Sequence, residues 1–401
     1  MTPQRTNSCR MISRRTLLAA TGGTALAFAA GRIWVPAAWG QPVAGEPTQP
    51  TLITRVNRPY CAETPVQAFT AWLTPNEQFF VRSHFGAPPP DRVDPNTWRL
   101  RLSGLVDRNL SLSLKDLLAF EQVTLAAVIQ CSGNGRAFFR PRVPGAQWQR
   151  GAVGNARWTG VRLADILLRA GVQQQGRHLQ MLGADRPVHP HTPLFHRSIP
   201  IEKALHPDTI LALRMNGEAL PLLHGAPVRL VAPGWMADAC VKWLTDLMVS
   251  HEEAPGFYMQ TAYRYPVVPS EPGATVDQAT MKPVEAMVVK SLIALPAQGT
   301  VLDQGSVMIQ GVAWTGEGQV VRVEVSVDEG RTWESAVLVG EDEPYAWRRW
   351  QFSWRAVRTG SFTLMCRATD DRGQTQPMTS PWNPGGYLWN GQDRVQVEVR
   401  A

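Results

Sequence analysis

The sequence predicts an α+β domain followed by an all-β, immunoglobulin-like sandwich. Three observations predict it: a 401-residue length, a change of hydrophobic period part-way along the chain, and a Pro-rich stretch at the change. At roughly 100–200 residues per domain the length suits two or three units. Hydrophobic residues are 44% and charged residues 18%, which excludes wholesale disorder, collagen-like repeats and a coiled-coil rod. With 15 Trp and 32 Pro, the chain reads as rich in turns and strands.

From about Phe69 to Glu252 short apolar runs alternate with loops. Trp98 to Leu105 alternates with period two and predicts a strand. Ser113–Leu118 and Arg162–Leu168 predict short helices, entered from Ser113 and Thr159. Val228–Val231 predicts a strand ending at Pro233-Gly234. Residues 41–65 read as an extended entry arm. Pro266, Pro269 and Pro272 mark a linker over 266–282, between a catalytic domain at 41–265 and a sandwich at 283–401. In the latter, Ser306–Val312, Val320–Asp328 and Ser361–Asp370 alternate, with turns at Thr315–Gly318 and Asp328–Gly330. The lone Cys366 there reads as a small core hydrophobe, and Trp347, Trp350 and Trp354 as core and interface.

The net charge of +7 invites a nucleic-acid reading, and its location argues against one. Arg5, Arg10, Arg14, Arg15 and Arg32 lie in the first 40 residues, which hold no Asp or Glu; without them the chain carries +2. That segment has a charged start, an apolar run to Ala30 and small residues at Ala38-Trp39-Gly40, the anatomy of a signal peptide. The apolar run is shorter than the roughly 20 residues that cross a bilayer. Adjacent Arg14 and Arg15 resemble a twin-arginine (Tat) signal, so residues 1–40 are expected to direct periplasmic export through the Tat machinery. No membrane span is expected in the mature chain. Its four cysteines, Cys61, Cys131, Cys240 and Cys366, form no CxxC, which argues against a structural zinc or iron–sulfur site. No CxxCH occurs, so no c-type haem is expected. His189, His191 and His196 read as a solvated loop rather than a metal cluster, and single Arg residues elsewhere as surface.

The most informative segment is Gln130-Cys131-Ser132-Gly133-Asn134-Gly135-Arg136. A strand runs into a Cys, small residues leave space beside the sulfur, and Arg136 can favour the thiolate. Chemistry alone leaves metal ligand, nucleophile and buried structural Cys open.

This loop resembles the cysteine loop of the sulfite oxidase family of molybdopterin-dependent oxidoreductases, usually Gln-Cys-Ala-Gly-Asn. Asn57–Glu63, Phe79–His84, Gly151–Val161, Met215–Glu218, His224–Arg229, Val241–Leu244 and Trp382–Gly386 look like further family blocks in the same order. The resemblance implies a molybdopterin-binding domain, a C-terminal dimerisation domain and a molybdenum–molybdopterin cofactor. It implies that Cys131 is the protein's ligand to molybdenum. It implies cofactor contacts from Phe80, Val81, Arg82, Ser83, His84, Asp185, His224, Arg229, Cys240, Val241 and Lys242. Arg82, Arg136 and Tyr263 match the family's anion pocket; Arg forks and a phenol suit a small oxyanion. One more pocket Arg is expected from the C-terminal domain, with Arg348 or Arg349 as candidates.

The expected activity is periplasmic oxidation of sulfite to sulfate by oxo transfer at molybdenum, with electrons passed to a separate c-type cytochrome. A homodimer is a further expectation. The alternatives are a sulfane dehydrogenase subunit of a thiosulfate-oxidising complex, to which Pro233-Gly234-Trp235 is similar, and a cofactor-free binding protein on the same fold. A methionine sulfoxide reductase with the same cofactor fits less well, because those enzymes typically lack the sandwich. Departures from the family pattern are Cys61 for Asn, Ser132 for Ala, and a missing Arg shortly before Lys242-Trp243.

Overall fold

The computed structural model describes residues 51–401; the expected signal segment lies outside the described residues. Where an extended arm was expected, Ile53–Val56 pairs antiparallel with Cys61–Glu63. Next come two mixed α/β layers. One sheet joins Gln122–Gln130, Val153–Arg162 and Ile210–Met215, with Glu218–Ala219 and Arg229–Val231 both paired to Ile210–Met215. The other runs Leu110–Leu112, Leu100–Gly104, Leu244–Ser250, His178–Gly183, Arg197–Pro200. Within it the pairing of Leu100–Gly104 with Leu244–Ser250 is parallel.

Local sequence explains these elements. Leu100 and Leu102 are buried while Arg101 faces out, the alternation of a half-buried strand. Leu100, Leu102, Met181 and Leu247 meet Val161, Leu211 and Leu230 of the other sheet in one core, which helix Leu163–Ala170 covers with Leu163, Ile166 and Leu167. The helix Leu114–Leu118 starts at a capping box: the Ser113 hydroxyl accepts from Asp116 N while Asp116 accepts from Ser113 N. Thr159 does not start the second helix. It lies inside the strand Val153–Arg162, its hydroxyl bonded to Thr124 across the ladder, and Arg162 is the N-terminal boundary residue. Strand pairing overrode a local capping preference there.

The expected linker is partly structured: Arg264–Pro266 and Met281–Pro283 pair as an antiparallel ribbon. Beyond it, two sheets face one another. The first holds Lys290–Leu295, Gly305–Trp314, Arg348–Ala356 and Val337–Val339; the second includes Val320–Ser326, Gly360–Asp370 and Asp393–Arg400. Ile309, Trp350 and Trp354 from one sheet pack against Val323, Leu364, Cys366 and Val395 from the other. Cys366 is fully buried as a core residue, its sulfur 3.2 Å from the Ser291 hydroxyl. Trp347 lies at the seam with the catalytic domain, edge-on to Phe69.

Candidate active site

The strands of the catalytic domain deliver their chemistry at their ends. Gln122–Gln130 ends at Cys131, His178–Gly183 leads to Asp185, and Lys242-Trp243 precedes Leu244–Ser250. These ends converge on one cleft with about 690 Å³ of empty volume. Phe80, Arg82, Ser83, His84, Cys131, Asp185, His224, Arg229, Cys240, Val241, Lys242 and Tyr263 all line it. Residues far apart in sequence are thus brought together in one place.

Two expected residues fall outside the lining. Val81 is buried, its backbone bridged to Ala62 by two hydrogen bonds. Arg136 is buried with its guanidinium bonded to the carbonyls of Gly385 (3.0 Å) and Ala146 (3.3 Å) and laid over the Tyr387 ring. Gly133 and Gly135 of the cysteine loop make room for this arrangement, while Cys131 and Ser132 face the cleft. A Cβ on Gly133 would stand 2.7 Å from the Arg136 guanidinium carbon, and one on Gly135, at φ +95°, would stand 2.4 Å from the Trp389 ring. Arg348 and Arg349 do not reach the cleft either; they pair with Asp342 and Glu341 on the sandwich. The C-terminal domain approaches instead through Tyr387, stacked on Tyr263 at 5.3 Å, and through Leu388 N, which donates to Ser132 O.

Three cations in the cleft have no carboxylate in ion-pair contact among the described residues. Arg82 donates to the Ser83 carbonyl and lies 3.7 Å from the Cys61 sulfur. Arg229 donates to the carbonyls of His224 and Cys240, and its buried Nε has no partner. Lys242 donates to Leu223 O. Charges held this way are costly unless an anion arrives. Desolvation, helped by Arg229, brings the Lys242 ammonium down to about 7 while Asp185 opposes; desolvation lowers Arg229 to about 10. Burial raises the Asp185 carboxyl to about 6 and lowers His224 to about 4.

Near the sulfur the balance differs from the sequence expectation. Burial pushes the Cys131 thiol up, and Arg82 and Arg136 only partly offset it, so Arg136 alone does not make a thiolate. A bound metal cation would supply that deprotonation. Desolvation lowers His84 well below its ordinary value and raises the Tyr263 phenol, so both are neutral. Tyr263 Oη and His84 Nε2 are 2.8 Å apart, and Tyr263 is held at φ +56° with its N–H donated to Tyr387 Oη. A pair of neutral donors beside Arg82 is suited to a small anion.

The donor set fits a phosphorylated, metal-bearing pterin. Arg229, Lys242 and His224 can meet a phosphate, Asp185 can accept from a guanidine-like edge, and Cys131 is a soft thiol ligand. His189, His191 and His196 lie in a segment without helix or strand, and none of them lines the cleft.

Sequence reasoning missed Phe195, Asp238 and Arg197. Phe195 and Asp238 line the cleft, and Arg197, classed with the surface arginines, is 2% exposed and pairs with Asp238. Asp238 stood in the very block where an Arg was missing; Arg197, the first residue of its strand, carried no signal of its own.

Comparison with known proteins agrees with the geometry. A family model described as an oxidoreductase molybdopterin binding domain matches residues 85–258, and one described as a Mo-co oxidoreductase dimerisation domain matches residues 281–400. The chain is 36% identical to mitochondrial sulfite oxidase of Rattus norvegicus over 92% of its own length and 69% of that protein's. It is 31% identical to sulfite oxidase of Arabidopsis thaliana, over 88% of the chain and 95% of that protein. Among solved structures, the sulfane dehydrogenase SoxCD from Paracoccus pantotrophus superposes with a TM-score of 0.73 at 29% identity, covering 89% of this chain and 92% of that one. The chain belongs to the sulfite oxidase family of molybdopterin-dependent oxidoreductases and is an enzyme of that cofactor.

Proposed function

We propose that the chain oxidises sulfite to sulfate in the periplasm and passes the electrons to a separate c-type cytochrome. The observation that carries the reading is Arg82, without a carboxylate partner, beside the neutral His84–Tyr263 pair in the cleft that holds Cys131. The relatives named sulfite oxidase support the same substrate.

The bound cofactor supplies oxo transfer and two-electron storage at its metal. In this reading Cys131 holds the metal, while Arg229, Lys242 and His224 hold the phosphate and Asp185 the pterin edge. Arg82 binds the sulfite oxygens through its fork. His84 donates to Tyr263 Oη, which frees the phenol proton for the anion. Sulfite brings its own sulfur lone pair, so no group in the cleft has to remove a proton from it. Buried Phe80, together with Phe195, keeps water from the anion site and strengthens each of these contacts. Arg136 acts at one remove, through its field at Cys131 and its hold on Gly385.

The basic, acid-free start of the chain supports Tat export. The dimerisation-domain match supports a homodimer, and the two facing, largely antiparallel sheets support the immunoglobulin-like reading of the sandwich. A sulfane dehydrogenase is the second reading, favoured by the superposition on SoxCD. Ferricyanide reduction by the purified enzyme decides between them. Turnover with sulfite supports the first reading. Turnover only with a protein-bound sulfane sulfur supports the second, and turnover with neither contradicts both.

A further inference from the structure

The cleft contains a carboxylate that an anion site would not be expected to carry. Asp238 lines it in the same wall as Cys131 and Ser132 and is 4% exposed. Both its oxygens are engaged: the Ser132 hydroxyl donates to Oδ1, and Arg197 Nη2 donates to Oδ2. Arg197 reaches it from the strand Arg197–Pro200, while its other terminal nitrogen donates to Tyr258 O and its guanidinium carbon lies 5.2 Å from the Tyr263 ring centre. Arg197 does not itself line the cleft; it lines a smaller cavity with His178 and Glu253. One cluster therefore ties together the residue after Cys131, the ring of Tyr263 and a buried charge pair.

From this arrangement we propose that Ser132, Asp238 and Arg197 form a positioning unit that sets the cleft's affinity for oxyanions. The inference rests on the oxyanion reading of the cleft given above. Arg197 cancels the Asp238 charge, so the field at Arg82 and Tyr263 stays positive. Ser132 keeps the carboxylate turned away from the open volume. Asp238 in turn fixes the Ser132 side chain, and the Ser132 carbonyl also receives Leu388 N from the C-terminal domain. The Ser for Ala departure in the cysteine loop and the Asp in the Pro233–Cys240 block then have one explanation, since each supplies the other's hydrogen-bond partner.

The unit can be tested through binding of sulfate to the holoenzyme, read as the sulfate-induced rise in thermal midpoint at constant ionic strength. Asp238→Asn leaves Arg197 uncompensated and is expected to tighten sulfate about tenfold. Arg197→Met leaves Asp238 uncompensated and is expected to weaken it about tenfold. This is the scale of one unit charge roughly 12 Å away at an effective dielectric constant of about 20. The double variant removes both charges and is expected to return to within about twofold of wild type. Opposite signs are the signature, because a purely structural role moves both single variants the same way, and that result would overturn the proposal. Removing one member of a buried pair can prevent folding. In that event Ser132→Ala, which keeps both charges, decides together with the double variant. The proposal expects Ser132→Ala to weaken sulfate about threefold, as the released carboxylate turns toward the anion; unchanged affinity there would overturn it. Absence of sulfate binding in wild type and all variants would overturn the oxyanion reading itself, and the inference with it.

Discussion

The cleft and the sandwich both bury polar groups, but only in the cleft do several cations converge on open volume. In the sandwich, buried Gln376 accepts from Ser291 N, Ser291 Oγ and Ala368 N, and Asp370 accepts from Thr315. Lys290 is a buried cation there, 6.0 Å from the Trp314 ring centre; its Nζ has no hydrogen-bond partner, and Asp393 acts on it only through its field, against desolvation. In the cleft, by contrast, Arg82, Arg229 and Lys242 surround open volume without a carboxylate partner. Burial alone therefore does not mark a site. Cys131 and Cys366 are both buried, and burial raises both thiols. What separates them is that cations and space converge on one, while packed β-sheet residues surround the other.

The contrast is broken most strongly from the sandwich side. Trp350 is fully buried between the sheets, and Trp350→Ala is expected to cost about 3–5 kcal/mol of stability. The KM of the protein that remains folded should not move. Urea unfolding and steady-state kinetics on one preparation check this; a changed KM would mean that the sandwich packing reaches the cleft. The converse variant is Arg82→Met, which should lower kcat/KM by about 10²–10³ at a thermal midpoint close to wild type. A loss confined to stability would remove Arg82 from the anion site.

A smaller effect sharpens the electrostatic side. His224 is 5% exposed, and desolvation lowers its pKa to about 4 from an ordinary 6.5. A histidine depressed by folding contributes stability that is present above 6.5 and is lost as pH falls toward 4. Acidification of the cofactor-free chain through that window should therefore cost up to about 3 kcal/mol more in wild type than in His224→Gln. Urea midpoints at several pH values measure the difference. Equal slopes would show that His224 is already solvated and protonated.

Much of this contrast could be read before the structure. The strand entering Cys131 and the period-two sandwich strands were legible because each depends on local pattern, and the contiguous blocks holding Arg82, His224, Arg229 and Lys242 fold to one cleft. The failures share a cause. Thr159 looked like a helix cap, but strand pairing decided its state. Arg136, expected against the substrate, was drawn to carbonyls of Gly385 and Ala146, the first of them 249 residues away. Arg197 seemed a surface residue until Asp238 was folded against it. Contacts between distant segments leave no periodicity and no spacing to read.

The most direct test of the account is molybdenum content measured together with sulfite-dependent ferricyanide reduction, on wild type and Cys131→Ser. The account predicts about one metal per chain and sulfite turnover in wild type, with turnover collapsing in the variant. Full sulfite turnover in Cys131→Ser, or wild-type enzyme from a cofactor-competent host that carries no molybdenum, would contradict it.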